Sequence, residues 1–354
     1  MKVLAINPGS TSTKIAAYEG EVCLWKEVID HPSSELNAFA HVSDQCDYRI
    51  GHILKLLEEK DTRLDVFNGI VGRGGMLKPL AGGTYIVDEY LTKVLQNPPG
   101  GEHASNLGGI IAYYLGRRIN SPAFIVDPVS VDELEPLARL SGFPELPRSS
   151  QSHALNMKAV ARKVARKLGK SYHALNLIVA HLGGGISVAP HRKGKMIDVN
   201  NANNEGPYSV ERCGTLPISQ LVKLCYSGKY TEQELRTKIL KQGGMFAYLG
   251  TKDAREAEKR MNEGDQYARQ ILEGLCYQVA KEIGGMATVL AGDVDNIVLT
   301  GGLAHSEFIT REIIRRVSFI SPVIVVPGEE EMEALALGAL RVLSGAEEAL
   351  TYKI

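Results

Sequence analysis

Two turns in this sequence have the residue types that phosphate binding requires. Residues 7–14 combine four hydroxyl side chains with the ammonium of Lys14, and residues 181–185 place three consecutive glycines after His181. Backbone N–H groups approach an anion closely where side chains are small. Both segments therefore predict phosphate-binding turns. The candidate ligand-binding residues in them are Ser10, Ser12, Lys14, His181, Gly183, Gly184 and Gly185.

A third glycine pair follows a predicted strand near the C-terminus. Thr300 ends that strand, and Gly301 and Gly302 precede a predicted helix, as in a loop that faces a purine. The sequence contains no G-x-x-x-x-G-K-[ST] segment, and no G-x-G-x-x-G between a strand and a helix. If ATP binds, we expect it to bind without a Walker loop or a dinucleotide fold.

Two arginines and one aspartate are candidates for handling anions. Arg73 lies between Gly72 and a glycine pair, and Arg212 precedes Cys213 and Gly214. A guanidinium binds a carboxylate or a phosphoryl group through paired hydrogen bonds, and small neighbours leave room for a planar anion. An ordinary surface position is the alternative for each arginine. Asp127 ends a predicted strand, where α/β sheets place reactive groups.

Three histidines, His103, His153 and His181, begin or precede predicted elements. Their spacing matches no metal site. A role in catalysis and a role in capping or core packing both remain open for each of them.

An internal repeat relates the two halves of the chain. Residue n corresponds to residue n+174 without a gap over about twenty positions, so that Gly9 matches Gly183 and Gly20 matches Gly194. Each copy predicts a strand, a small-residue turn and a second strand. Chance similarity is one explanation. The other is a pair of related α/β domains that present their turns to a shared nucleotide.

Composition excludes several classes of function. The 354 residues carry a formal net charge of −1, which provides no field to attract nucleic acid or an anionic membrane. No apolar run reaches the roughly 18 residues of a membrane helix. The five cysteines form no C-x-x-C pair, so neither a disulfide framework nor a cysteine zinc site is predicted. The chain starts without a signal-like segment and is expected to be cytoplasmic.

Taken in order, these segments resemble the acetokinase family over nearly the whole chain. The resemblance implies an α/β fold of two duplicated actin-like (ribonuclease H-like) domains, shared by acetate and sugar kinases, heat-shock chaperones and actin. It implies an acyl-substrate domain of residues 1–148 plus 332–354 and a nucleotide-binding domain of residues 149–331. The segments that carry it are residues 7–14, 72–75, 102–108, 152–153, 180–185, 212–214 and 300–302.

The resemblance also implies roles for particular residues. Asn7 and Glu330 would hold Mg²⁺ through water, with Glu331 as a one-residue alternative. Arg73 and Arg212 would bind the substrate carboxylate and the phosphoryl group. His153 would stabilise the phosphoryl group in transit, and His181 would face the nucleotide phosphates.

Further roles follow from the same resemblance. Asp127 would match the catalytic aspartate of the family, and we expect it to orient an arginine or the magnesium shell. Asp253 and Arg255 would lie near the nucleotide. The residues that would border adenosine are Thr300, Gly301 and Gly302.

The activity that the resemblance implies is phosphorylation of a short-chain carboxylic acid by ATP and Mg²⁺, giving an acyl phosphate and ADP. Residues 97–103 and the short loop at Arg73 are more similar to the butyrate kinase branch than to acetate kinases. Gly100 and Gly101 remove side-chain volume beside His103, so we expect a four-carbon or branched acid to be preferred over acetate. Because the Arg73 loop is shorter than in acetate kinases, the residues of their acyl pocket cannot be assigned to positions in this chain.

Three alternatives to this activity remain. They are an acetate or propionate kinase, a sugar kinase of the same fold, and a non-catalytic nucleotide-binding or filament-forming protein. The family also implies a homodimer or a higher homo-oligomer.

Overall fold

The computed structural model describes residues 1–353, which form two compact units. Unit 1 consists of Met1–Val131, Ala154–Asn156 and the residues from Glu330 onward, and unit 2 of Asp132–His153 and Met157–Glu329. Residues 132–148, expected in the first domain, thus group with unit 2. No helix within residues 1–353 is long and apolar enough to cross a membrane.

Unit 1 is built on a seven-stranded sheet with the order β12-β5-β6-β4-β1-β2-β3. Its strands are β1 (Lys2–Pro8), β2 (Ser12–Glu19), β3 (Val22–Asp30), β4 (Gly69–Arg73), β5 (Thr84–Ile86), β6 (Ala123–Val126) and β12 (Leu350–Thr351). Its helices are α1 (Ser33–Leu36), α2 (Cys46–Glu59), α3 (Glu89–Gln96), α4 (Asn106–Arg118) and α12 (Glu331–Leu343), with short 3₁₀ turns at Val42–Gln45 and Leu64–Val66.

Unit 2 is built on a five-stranded sheet with the order β11-β10-β7-β8-β9. Its strands are β7 (Asn176–Leu182), β8 (Ile186–Arg192), β9 (Lys195–Met196), β10 (Asn296–Gly301) and β11 (Val323–Pro327). Its helices are α5 (Ala154–Lys167, which begins in unit 1), α6 (Ile218–Cys225), α7 (Glu232–Lys241), α8 (Gly244–Leu249), α9 (Ala254–Asn262), α10 (Gln266–Val289) and α11 (Glu307–Val317). Its 3₁₀ turns are Pro136–Arg139, Tyr172–Ala174 and Gly302–His305.

The two sheets repeat one topology. In unit 1, β1 pairs antiparallel with β2 and parallel with β4, which pairs parallel with β6. In unit 2, β7 pairs antiparallel with β8 and parallel with β10, which pairs parallel with β11. Both ends of β7 lie 174 residues after the corresponding ends of β1. The internal repeat of the sequence therefore corresponds to a repeated strand topology, as expected for two related α/β units.

Both central strands are covered on their two faces. Val3, Leu4, Ala5 and Ile6 are all fully buried in β1, because α4 and α12 pack against β1 and β4. In unit 2, α10 packs against β7 and β8, and every residue of β7 is buried. Continuous apolar runs are typical of strands in such doubly covered sheets, which explains why β1 and β7 are predictable from sequence.

Two predicted elements begin later than expected. The apolar residues between positions 66 and 71 predict a strand over that range. The strand is instead Gly69–Arg73, and Val66 belongs to the preceding 3₁₀ turn. The strand begins directly after Asn68, whose side-chain oxygen accepts a hydrogen bond from Lys2 N at 2.7 Å. The helix predicted from His103 starts at Asn106, so His103 lies in a turn.

Candidate active site

Three candidate residues of unit 1 end neighbouring parallel strands. Asn7 follows Ile6 in β1, and Ile6 is in register with Gly72, the residue before Arg73 in β4. Arg73 is in turn opposite Val126, which precedes Asp127. Because parallel strands present their carboxyl ends at one edge, these three residues lie along the edge where open α/β sheets bind ligands.

A glutamate at the start of α12 connects two of these residues. Glu331 Oε2 accepts a hydrogen bond from Asn7 Nδ2 at 2.6 Å, and Glu331 Oε1 forms an ion pair with Arg73 Nη1. The side chains of Arg73 and Glu331 are 23% and 20% exposed. The carboxylate is thus held on both sides but still accessible to a ligand.

The structure discriminates between the two glutamates that the sequence left open. The family resemblance favours Glu330 over Glu331 as the residue that holds Mg²⁺ with Asn7, but Glu330 is exposed and stands at the N-cap position of α12. Glu331, one residue later, contacts Asn7. Each residue turns a helix by about 100°, so one position decides which carboxylate faces the strand ends.

The residues at this edge are compatible with a magnesium nucleotide. Within residues 1–353 no group of three or more His, Cys, Asp or Glu side chains is arranged to hold a metal ion. Mg²⁺ in kinases is commonly held by one or two protein carboxylates, water and substrate phosphates. Because Asn7 donates to Glu331 through its amide nitrogen, its amide oxygen does not face the Glu331 carboxylate. One carboxylate and one amide oxygen fit that mode of binding.

The glycines around Arg73 have a packing function that the sequence did not reveal. A Cβ on Gly72 would lie 1.9 Å from Gly108 O, and one on Gly75 would lie 1.9 Å from Asn106 Oδ1. A Cβ on Gly74 would lie 2.5 Å from Pro128 Cβ. These glycines let β4 and its loop approach α4 and the end of β6 closely. They fix the position of Arg73, and the room that they leave for an anion stays a prediction.

Asp127 is 1% exposed and has a positive φ of 36°. Its backbone N donates to Gly83 O at 3.0 Å, and its Oδ1 accepts from Gly83 N at 2.8 Å. Aspartate tolerates this left-handed conformation better than most residues. The contacts with Gly83 orient Asp127 at the strand end.

The segment around His103 is exposed and follows a glycine pair. Desolvation, followed by the positive charge of Arg73, lowers the pKa of His103 below its usual value. Ser105 N donates to His103 Nδ1 at 3.2 Å, which leaves Nε2 as the protonated nitrogen. A Cβ on Gly100 would lie 2.9 Å from Met76 Cβ, and Gly101 has a φ of +92°. Local packing and backbone conformation thus explain these glycines, independently of an acyl chain.

The turn between β1 and β2 exposes its polar side chains. Ser10, Thr11 and Lys14 are exposed, and Ser12 is partly exposed. Gly9 N donates to Ser12 O at 2.7 Å and closes the turn. The corresponding turn of unit 2 is closed by Gly183 N, which donates to Gly185 O at 3.2 Å.

In unit 2, Arg212 lies directly against the glycine turn. A Cβ on Gly185 would lie 2.7 Å from Arg212 Nη1 and 2.8 Å from its Cζ. Nη1 donates to Asn203 Oδ1 at 2.8 Å and to Ala202 O at 3.3 Å. Burial lowers the pKa of Arg212, which the nearby Glu211 opposes, and the guanidinium remains charged. Glycine at 185 is therefore needed for Arg212 to occupy this position.

Two predicted histidines of unit 2 contact each other. The rings of His153 and His181 are stacked, with centroids 3.9 Å apart and an interplanar angle of 11°. His153 Nδ1 lies 2.9 Å from Ser187 Oγ, and His181 Nε2 lies 3.2 Å from Glu329 Oε1. The structure thus places both imidazoles beside the 181–185 turn.

The remaining candidates of unit 2 form two local groups. Asp253 caps α9 and forms an ion pair with Arg255, with Nη2 and Oδ2 2.6 Å apart. The Arg255 side chain, followed by its backbone N–H, lowers the pKa of Asp253 to about 2.

At the end of β10, Thr300 is fully buried and its hydroxyl donates to Gly328 O at 3.2 Å. Gly301 has a φ of +89°, and a Cβ there would lie 2.4 Å from Leu182 O. Gly302 is exposed, and a Cβ there would contact nothing within 4 Å. Of the three, Gly302 presents its backbone most openly to a ligand.

One carboxylate near the glycine turn was not recognised from the sequence. Glu211 Oε1 lies 3.6 Å from the position of a Cβ on Gly184, and Glu211 Oε2 forms an ion pair with Lys252 Nζ at 2.6 Å. In the sequence, the only indication that Glu211 lies at the site is its position directly before Arg212.

Comparison with known proteins identifies the family. The profile of the acetokinase family matches residues 148–329. The chain is 52% identical over 353 residues to butyrate kinase 2 of Clostridium acetobutylicum, covering 99% of both chains. It is 50% identical over 352 residues to a probable butyrate kinase of Clostridium botulinum, again covering 99% of both chains.

Solved structures show the same fold at low sequence identity. The Porphyromonas gingivalis acetate kinase superposes with a TM-score of 0.78 at 19% identity, covering 97% of this chain and 99% of that one. The Entamoeba histolytica acetate kinase superposes with a TM-score of 0.74 at 16% identity, covering 96% and 99%. A hexokinase of the ROK family from Thermus thermophilus has a TM-score of 0.50 at 16% identity, covering 97% and 100%. The predicted actin-like fold is confirmed, and the chain belongs to the acetokinase family.

Proposed function

We propose that this protein is an ATP-dependent carboxylate kinase that acts on butyrate or a similar short or branched acid. It transfers the γ-phosphoryl group of ATP reversibly to the substrate carboxylate and forms an acyl phosphate and ADP. The observation that carries the proposal is 52% identity to butyrate kinase 2 of C. acetobutylicum over 99% of both chains. The arginines at the predicted positions support the same chemistry.

The reaction requires charge neutralisation and positioning, without a general base. By analogy with Asp and Glu, a carboxylic acid has a pKa near 4 and is ionised at pH 7. A carboxylate oxygen attacks the γ-phosphorus, the bond from phosphorus to the bridging oxygen breaks, and its electron pair leaves with ADP. Because both reactants are anions, catalysis must come from positioning and positive charge.

Each charged residue has a place in this scheme. Arg73 binds the substrate carboxylate, and Arg212 neutralises charge on the transferring phosphoryl group, aided by His153. Asp127 orients the groups at the strand ends and abstracts no proton. Asn7 and Glu331 would hold Mg²⁺ through water, and the metal would supply positive charge to the phosphate oxygens when bound.

Each unit has its own proposed nucleotide-binding residues. Ser10, Ser12 and Lys14 of unit 1 and residues 181–185 of unit 2 bind the phosphates. Asp253 and Arg255 lie near the nucleotide, and residues 300–302 border adenosine. Unit 1 accordingly binds the acyl substrate, and unit 2 binds most of the nucleotide.

The proposal also includes the cellular location and the oligomeric state of the enzyme. We infer a cytoplasmic homodimer or higher homo-oligomer, in accord with the family. Partners other than the acid, the acyl phosphate and the nucleotide are not required by this chemistry.

The test of the proposed function is acyl phosphate formation from straight and branched acids of two to five carbons. We expect butyrate or isobutyrate to give a higher kcat/KM than acetate, with ATP and Mg²⁺ present and the product trapped as a hydroxamate. The difference should be modest, because each methylene contributes about 1–3 kcal/mol of discrimination. The expected preference for a four-carbon acid is supported by the identity to butyrate kinases. Gly100 and Gly101 do not support it, because local packing and a positive φ explain these two glycines.

Three results would contradict this proposal. A higher kcat/KM with acetate would reject the acyl-chain preference. ATP turnover with a sugar but with no acid would indicate a sugar kinase. Absence of ATP turnover with any acid or sugar would indicate a non-catalytic nucleotide-binding protein.

A further inference from the structure

Arg49, on α2, is a fully buried arginine beneath the turn between β1 and β2. Its guanidinium donates to three carbonyl oxygens of that turn. The distances are 3.0 Å from Nη1 to Gly9 O, 3.0 Å from Nη1 to Ser12 O, and 3.3 Å from Nη2 to Ser10 O. Nη1 also donates to Thr13 Oγ1 at 3.0 Å. One side chain therefore fixes every position of the polar 9–13 turn apart from Thr11.

Within residues 1–353 no carboxylate forms an ion pair with Arg49. Its remaining partner is the neutral Gln45, whose Oε1 accepts from Nη2 at 2.8 Å and from Nε at 3.2 Å. Burial lowers the pKa of Arg49, but a guanidinium stays protonated. A buried charge with no opposite charge is costly in free energy. An apolar side chain would fill the space at lower cost, so packing alone does not explain an arginine here.

The geometry of the peptide bond determines what the turn presents to solvent. In a trans peptide the C=O of one residue and the N–H of the next point in opposite directions. Because Gly9 O and Ser10 O point down to Arg49, the N–H groups of Ser10 and Thr11 point away from it. Both residues are exposed. The turn thus presents adjacent N–H groups on its open side, an arrangement that binds anions.

A buried histidine supports the same turn from a second side. His31 N donates to Thr11 O at 2.8 Å, and His31 Nε2 lies 2.8 Å from Thr13 Oγ1. Burial, followed by the charge of Arg49, lowers the pKa of His31 to about 4. His31 is therefore neutral near pH 7, and Arg49 carries the positive charge beneath the turn.

We propose that Arg49 is a positioning residue for nucleotide binding, which orients the 9–13 turn so that its N–H groups and hydroxyls face the phosphates of ATP. This inference rests on the proposed function, because it assumes that the turn binds ATP. Arg49 itself contacts no substrate. Its effect reaches the nucleotide through the backbone of Gly9, Ser10 and Ser12.

The experiment separates the KM for ATP from the KM for the acid in full-length variants. In Arg49→Met the turn loses all of its guanidinium contacts, and we expect the KM for ATP to rise more than about fivefold while the KM for butyrate changes less than about threefold. Arg49→Lys keeps the charge but has three donors in place of five. It should raise the KM for ATP by an intermediate factor, and it decides the question if Arg49→Met does not fold.

The matched control is Leu57→Ala, on the same row of α2 two turns further along. Leu57 is buried, so this change destabilises the same helix without touching the turn, and its KM for ATP should equal that of the wild type. The inference is overturned if folded Arg49→Met raises the KM for ATP less than about fivefold, or if Arg49→Lys leaves the KM for ATP at the wild-type value. It is also overturned if the KM values for ATP and butyrate rise together, or if Leu57→Ala reproduces the effect. Failure of the proposed function is a different result, namely a wild-type protein that forms no acyl phosphate.

Discussion

Replacing Arg212 with alanine is expected to lower kcat about a thousandfold, which is the lower end of the effect of an arginine on phosphoryl transfer. Arg212 lies against the glycine turn and is held by Asn203 and the carbonyl of Ala202. In the proposed mechanism, these contacts hold the guanidinium in place to bind the phosphoryl group as charge develops. The measurement is the steady-state rate of acyl phosphate formation at saturating ATP and acid.

The size of this effect follows from the chemistry. A thousandfold loss corresponds to about 4 kcal/mol of transition-state stabilisation. Electrostatic contributions of this size are usual for preorganised charges in sites that exclude bulk water. A substrate-binding role would instead raise KM and leave kcat nearly unchanged. An Arg212→Ala variant with a kcat within about tenfold of wild type would contradict the proposed direct role.

A second variant tests the position of Arg212 without removing its charge. In Gly185→Ala the new Cβ would lie 2.7 Å from Arg212 Nη1, so the guanidinium must move, and kcat should fall by about a hundredfold. Gly142→Ala is the matched control, because a Cβ at Gly142 meets nothing within 4 Å. Equal losses in the two glycine variants would show that the displacement of Arg212 is not the cause.

Replacing Glu331 with glutamine is expected to lower kcat by about a hundredfold or more and to raise the Mg²⁺ concentration needed for half-maximal rate. The substitution keeps the size of the side chain but removes the charge that faces Asn7 and Arg73. Arg73 then loses its carboxylate partner, and the proposed magnesium site would lose its negative charge. The measurement is kcat as a function of Mg²⁺ concentration.

Glu330→Gln is the matched comparison for this prediction. Glu330 is exposed and one residue away, and the contacts with Asn7 and Arg73 belong to Glu331. We expect this variant to change kcat less than about threefold. A larger loss in Glu330→Gln than in Glu331→Gln would assign the metal to Glu330, as the sequence first suggested.

The parts of the fold that were predictable are the ones encoded locally. β1 and β7 are continuous apolar runs followed by small-residue turns, and the fixed offset of 174 residues relates them within the sequence itself. Arg73 and Asp127 were recognisable because Arg73 ends a strand and Asp127 directly follows one, and Asn7 was recognisable from the family resemblance. A strand end is a property of local sequence, and parallel pairing places such ends at one edge.

The features that could not be predicted depend on tertiary contacts. Three consecutive glutamates left the partner of Asn7 ambiguous, because the start of α12 decides which one faces inward. The glycines beside Arg73 contact Gly108 and Asn106 on α4, more than thirty positions along the chain from Gly72. No local pattern encodes such an approach of two backbones.

The sequence position of Arg49 indicates that this arginine is buried. It precedes Ile53 and Leu57 by four and eight residues, so it lies on the apolar row of α2. A charged residue on a buried helix row is unusual and points to a polar partner in the interior. The partner is the 9–13 turn, which only the tertiary structure could identify.

The most direct test of the account is amide hydrogen exchange of the full-length protein with and without magnesium and a non-hydrolysable ATP analogue. In the proposed function the small-residue turn of each unit binds phosphate groups of ATP. We therefore expect slower exchange on nucleotide binding in residues 9–13 and also in residues 183–185, because phosphate oxygens accept hydrogen bonds from N–H groups of both turns. Protection of only one turn, or of neither, at saturating nucleotide would contradict it.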